Sequence, residues 1–242
     1  MPDIVRTVLF YAMFPALALV IGAVLAAFRP PSARMRSVFQ HAAAGIVFAA
    51  VAGEVLPEAR ETHSVPGIII GFAAGVGLML LVRTLTSSPE SESEENVSPR
   101  SLVITVGIDL IVDGLLVGLG VAAGAEVGLL VTIALTCEVL FLGLAAASAL
   151  SRAGVKPPQA IAIACGMGAI LIASAVVGTV VLHGLSGAPF AAVLGFGCAA
   201  LLYLVTEELL VEAHEEPETP LTTAAFFVGF LALLVLEMLA PA

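Results

Sequence analysis

Apolar residues in this chain do not alternate with polar ones at the period of a strand or of a surface helix. They run in long stretches, at 7–28, 38–58, 66–86, 101–122, 126–150, 159–183, 189–212 and 221–240. Each is ~20 residues or longer, the length at which a helix rising 1.5 Å per residue crosses a bilayer core. The breaks are short and polar: RPPSARMR, ARETHSVPG, SSPESESEENVSPR, AAGAE, SRAGVKPP, LHGLSGAP and EAHEEPETP. A membrane β-barrel would show short alternating segments instead. The pattern predicts an all-α integral membrane protein with eight transmembrane helices, forming a single domain over residues 1–242. The first stretch is long enough to span and has no small-x-small cleavage site set apart from it, so it reads as a helix and not as a signal peptide. The longest break, Ser87 to Arg100, carries the SESEE run and reads as a solvated, flexible linker.

Composition agrees. Hydrophobic residues make up 60% and charged residues 12%, with mean hydropathy +1.12, whereas a soluble domain carries about 25% charged residues. Cys137, Cys165 and Cys198 all fall inside spans, scattered and odd in number, so no disulfide framework is expected. The net charge of −10 comes mostly from the breaks and points to no nucleic-acid partner. There is no G-x-x-x-x-G-K-[ST], no H-E-x-x-H and no Ser/His pair, so neither an ATP-driven pump nor an enzyme is indicated, and no cofactor is implied.

Basic residues orient the helices. Arg29, Arg34, Arg36, Arg83, Arg100, Arg152 and Lys156 fall on one side, and only Arg6 and Arg60 on the other. This places both termini outside the cytoplasm, in an inner (plasma) membrane crossed many times.

Against this apolar background, GIDLIVDGLLVGLG at 107–120 carries Asp109 and Asp113, which share a helix face at i,i+4. The AAGAE turn sends the next span back. Counted from Gly124, Glu138 then reaches the depth of both aspartates, near the bilayer midplane. An acid there costs at least ~2.5–3.5 kcal/mol to insert. With no Lys or Arg in the core of a span, either protons or a cation must sit among the three. Carboxylate oxygens suit hard divalent cations and also serve zinc. Gly107, Gly114, Gly118 and Gly120 read as points of close helix approach, and Gly67, Gly71 and Gly75 as a packing stripe.

A second feature repeats. GEVLPEA holds Glu54 and Glu58, and EELLVEAH holds Glu208 and Glu212, both in the form E-x-L-x-E-A. The topology puts them at opposite membrane faces. An inverted repeat would do this, with helices 1–3 related to helices 6–8 around a central 4/5 pair. His41, one turn into span 2, reads either as a buried hydrogen-bonded ring or as a ligand. His214, with Glu215, Glu216 and Glu218, reads either as a metal-handling patch or as a solvated loop.

Taken together, these helices, the acids of spans 4 and 5, HAAAGIVFAAVAGEVLPEA in span 2 and LLYLVTEELLVEAHEE in span 7 resemble the ZIP (Zrt-, Irt-like protein) family of divalent-metal transporters. The resemblance implies a midplane centre built from H-N-x-P-E-G-like motifs in spans 4 and 5. Laid on Gly114, the motif puts Asp113 at the glutamate position and Asp109 at the histidine position, with Leu110 and Val112 for Asn and Pro. Laid on Gly143, it puts Glu138 at the histidine position and Leu142 where a glutamate is expected. CGMGAILIAS in span 6 lacks a further acid common in the family. The implied site is therefore one metal held by Asp109, Asp113 and Glu138, with Glu54, Glu58, Glu208, Glu212, His41 and His214 along the pathway and its mouths.

The expected function is transport of divalent metal cations (zinc, iron, manganese or similar) into the cytoplasm by alternating access, with the metal as substrate. Helices 1–3 and 6–8 would rock against the central pair. The alternatives are a proton-conducting or proton-coupled carrier of another solute, and a non-transporting ZIP-like membrane protein. The expected partners are the lipid bilayer and divalent metal ions, with a homodimer as an open assembly.

Overall fold

The computed structural model describes residues 2–28, 32–86 and 99–239. Among them every regular element is helical: α1 (Pro2–Phe28), α2 (Ala33–Glu61), α3 (Val65–Thr86), α4 (Pro99–Ala123), α5 (Ala125–Arg152), α6 (Pro157–Leu182), α7 (Gly187–Ala213) and α8 (Pro220–Leu239). All eight are long and apolar enough to cross a membrane, and the chain is a multi-pass membrane protein. The SESEE segment, Arg29 and the last residue of the eighth expected stretch lie outside the described residues.

Several helices outrun the apolar stretches that announced them. α1 begins at Pro2 instead of residue 7, and α2 spans Ala33 to Glu61 where 38–58 was expected. Hydropathy marks only the part of a helix immersed in hydrocarbon, and polar end turns continue the same hydrogen bonding into the interface. The true ends carry capping signals. Ser32 Oγ accepts the Met35 N–H at 3.3 Å, Pro157 opens α6, and Thr219 Oγ1 accepts the Thr222 N–H at 3.3 Å before α8.

The helices pack as two four-membered groups. α1 lies along α5 and α6, and α4 lies along α6 and α5; the second group pairs α3 with α7 and α2 with α8, with α2 and α7 meeting between them. α2 also touches α5 across the boundary. Exchanging α1 with α6, α2 with α7, α3 with α8 and α4 with α5 maps the principal packing pairs onto one another, as an inverted repeat requires. Within this grouping α1 and α6 are packed onto α4 and α5, while α2, α3, α7 and α8 make up the other group.

Close crossings use the small residues. On α4, a Cβ on Gly114 would run into the Leu171 carbonyl of α6, and one on Gly118 would stand 2.5 Å from the Ala175 carbonyl oxygen. The Gly67, Gly71 and Gly75 stripe meets Ala188, Ala192 and Phe196 of α7, as expected for packing. Gly107 differs: nothing lies within 4 Å of the Cβ it lacks, so it serves no close approach.

The two E-x-L-x-E-A segments share a backbone irregularity. Val51–Val55 in α2 and Leu204–Leu209 in α7 are π-helical. Leu56 N–H bonds the Val51 carbonyl, and Leu210 N–H bonds the Val205 carbonyl, each i to i+5. Measured from the first glutamate of each motif, the two wide turns fall at the same place. Such a turn shifts the helical register and re-aims the side chains it carries, and it is frequent at functional sites.

Candidate metal centre

The α4–α5 hairpin positions the central acids. Asp113 is 3% exposed and Glu138 4%, and Asp113 Oδ2 and Glu138 Oε2 are buried with no hydrogen-bond partner. An ionised or protonated carboxyl in such a place keeps unused ligand capacity, and leaving it unpaired is costly. Glu138 lies within electrostatic reach of Asp113, Glu208, Asp109 and Glu212. Both sequence-predicted aspartates are thus among the charges that act on Glu138.

Two cavities meet at Asp109. Asp109, Asp113 and Glu208 line a narrow internal cavity together with Met79 and Leu204. Asp109 also lines a second cavity of about 340 Å³, whose wall includes Arg36, Arg152, Glu212 and Glu215. Asp109 therefore stands in the wall between a vestibule at the arginine-rich end and the buried acids. Among the described residues, no three His, Cys, Asp or Glu side chains are drawn together tightly enough to hold a metal ion. The acids form a file from Glu212 inward instead of a closed cage.

Glu208 is placed differently from the sequence expectation. It was assigned to a mouth with Glu212, yet it reaches the inner cavity beside Asp113. It sits in the π turn of α7, and no sequence spacing announces that turn.

At the other end of the bundle, Glu54 is 9% exposed within the π turn of α2 and faces Glu237, Glu126 and Glu58. The Glu237 carboxylate stands where a Cβ on Gly53 would be, 2.5 Å away. Glu237 and Glu126 were missed by sequence reasoning. The signal was a lone acid in the apolar run FLALLVLEML and another in the AAGAE turn.

His41 and His214, treated separately in the sequence, come together. His41 is 4% exposed, its Nδ1 donates to the Ser37 carbonyl at 2.8 Å, and its ring centre lies 5.1 Å from that of His214 at an interplanar angle of 82°. His214 Nε2 lies 2.8 Å from Glu218 Oε1. Alongside, Ser37 Oγ donates to the Ala213 carbonyl at 2.7 Å, and Gln40 Nε2 donates to Glu212 Oε2. The start of α2 is thereby clamped to the end of α7. Gln40, buried and in contact with the file of acids, was also missed.

A profile of the ZIP zinc transporter family matches residues 85–237, well over half of the chain. The chain belongs to the ZIP zinc transporter family. No curated protein matches it. Divalent metal transport is the activity of that family, which consists of transporters and not of enzymes. The matched stretch takes in α4 to α8; most of α1–α3 falls outside it, and α2 is tied to α7 by the shared motif and π turn. In this ZIP protein, Leu142 occupies a position where the resemblance leads one to expect glutamate, and it lines the 340 Å³ cavity. The position faces that cavity but has no side-chain oxygen to offer.

Proposed function

We propose that this ZIP protein carries divalent metal cations such as zinc, iron or manganese into the cytoplasm, with Asp109, Asp113 and Glu138 as the midplane ligands and Glu208 as a fourth acid beside them. The observation that carries the reading is the pair of buried carboxylate oxygens, Asp113 Oδ2 and Glu138 Oε2, that no protein donor satisfies. A divalent cation accepted by several carboxylates offsets their mutual repulsion and fills that unused capacity. The excess of basic residues at the vestibule end supports its opening to the cytoplasmic face of the plasma membrane, with both termini on the other side. Metal is then gathered by Glu54, Glu58 and Glu237, held at midplane, and released along Asp109 and Glu212. Movement of the α1/α4/α5/α6 group against α2/α3/α7/α8 exposes the acids to one face at a time.

Metal uptake by proteoliposomes tests this. Asp113→Asn and Glu138→Gln keep shape and remove one charge each, and uptake is expected to fall about tenfold or more in both. Unchanged uptake in both variants refutes the site. Proton flux with no dependence on metal refutes metal transport and establishes a proton carrier.

A further inference from the structure

The midplane acids leave open how one divalent cation is told from another. Asp109, Asp113, Glu138 and Glu208 offer only carboxylate oxygen, which suits calcium and magnesium as well as manganese. We propose, resting on the reading of these acids as a cation site, that the Met79 thioether is a further ligand there. Its sulfur makes the centre favour borderline and soft divalent cations such as zinc and cadmium over calcium and magnesium.

The packing of α3 puts Met79 in place. Gly67, Gly71 and Gly75 recur every four residues and press α3 onto α7. A Cβ on Gly75 would stand 2.8 Å from the Ala199 Cβ and 2.9 Å from the Phe196 carbonyl oxygen. The next residue at this spacing, on the same helix face, is Met79. It is 6% exposed, whereas Leu78, Leu80 and Leu81 beside it are exposed. Here a long side chain follows three glycines, and it lines the narrow internal cavity with Asp109, Asp113 and Glu208.

Among the described residues, that wall holds no second sulfur and, apart from the acids, no other side-chain donor: Val112, Leu116, Ala200 and Leu204 complete it. Asp113, whose Oδ2 is buried without a hydrogen-bond partner, belongs to the same wall. The aspartates come from one packed group of helices, and Met79 and Glu208 from the other. Sulfur and carboxylate therefore face one cavity across the boundary between the groups. A methionine that merely filled a gap would contribute only its shape. A ligand contributes polarizable lone pairs, which soft ions reward and hard ions do not.

Leucine at position 79 nearly keeps the volume and removes the sulfur, a swap that packed cores tolerate well. Equilibrium dialysis of the purified full-length protein in detergent against radioactive cadmium or calcium is the test, because these ions share charge and nearly share size but differ in softness. Binding lost in Asp113→Asn defines the midplane component. For that component, Met79→Leu should weaken cadmium about tenfold, or ~1.4 kcal/mol, and shift calcium by less than about twofold. Equal weakening of both ions would show that Met79 only shapes the cavity, and unchanged cadmium affinity would show that its sulfur is not a ligand. Either result overturns the role of Met79 and leaves the acids standing as a cation site. Absence of any Asp113-dependent component in the wild type overturns the centre itself, and the role of Met79 with it.

Discussion

Two glycines seven residues apart on α4 provide a matched test of whether helix contact holds the acids in place. Gly114 adjoins Asp113, and the Cβ of an alanine there would meet Ser174 Oγ, the Leu171 carbonyl oxygen and, at 3.1 Å, the Ala175 nitrogen. Ser174 can rotate away, but the other two atoms are backbone of α6 and cannot. α4 must back off, and overpacking of this kind costs ~1–3 kcal/mol. Gly107 has nothing within 4 Å of the same point. Alanine there brings only the helix preference over glycine, a gain of roughly 0.5–1 kcal/mol that both variants share. The packing cost therefore separates them, and Gly114→Ala should melt about 2–12 °C below Gly107→Ala, at about 2–4 °C per kcal/mol for a chain of this size. Thermal unfolding in detergent measures the gap, and proteoliposome uptake measures its consequence. Displacement of α4 carries Asp113 with it, so Gly114→Ala should lose uptake while Gly107→Ala keeps it. Equal melting temperatures, or a Gly114→Ala protein as stable as the wild type, would show that the α4–α6 contact does not set the position of the site.

Ser37→Ala removes the 2.7 Å bond to the Ala213 carbonyl at a position 1% exposed. It should cost about 1–2 kcal/mol, read as a lower melting temperature. Thr132→Val should do the reverse, because the Thr132 hydroxyl is buried without a partner; a gain of up to about 1 kcal/mol is expected, and a loss would mean the hydroxyl is satisfied in the membrane.

Most of the architecture was readable from residue order because a bilayer leaves few options: an apolar stretch of spanning length must be a helix. A tight turn and a fixed rise convert sequence distance into depth, which is what carried the expectation that Asp109, Asp113 and Glu138 share one level. Helix ends were not readable, because hydropathy stops at the interface while hydrogen bonding continues. Glu208 was misplaced for a different reason. A regular i,i+4 face was assumed through a segment where the backbone widens, and the residues there, LVTEEL, give no sign of it. The meeting of His41 with His214 depends on how α2 crosses α7, which is a tertiary fact with no trace in spacing.

The paired π turns bear on descent. The two halves cross the membrane in opposite directions, and Glu54 and Glu208 have different neighbours, so no common local environment compels both helices to widen at the same residue. A shared irregularity at matched positions is the mark of a common template. Such a match is what doubling of a template that already carried the widened turn would leave, one copy in each half of the bundle.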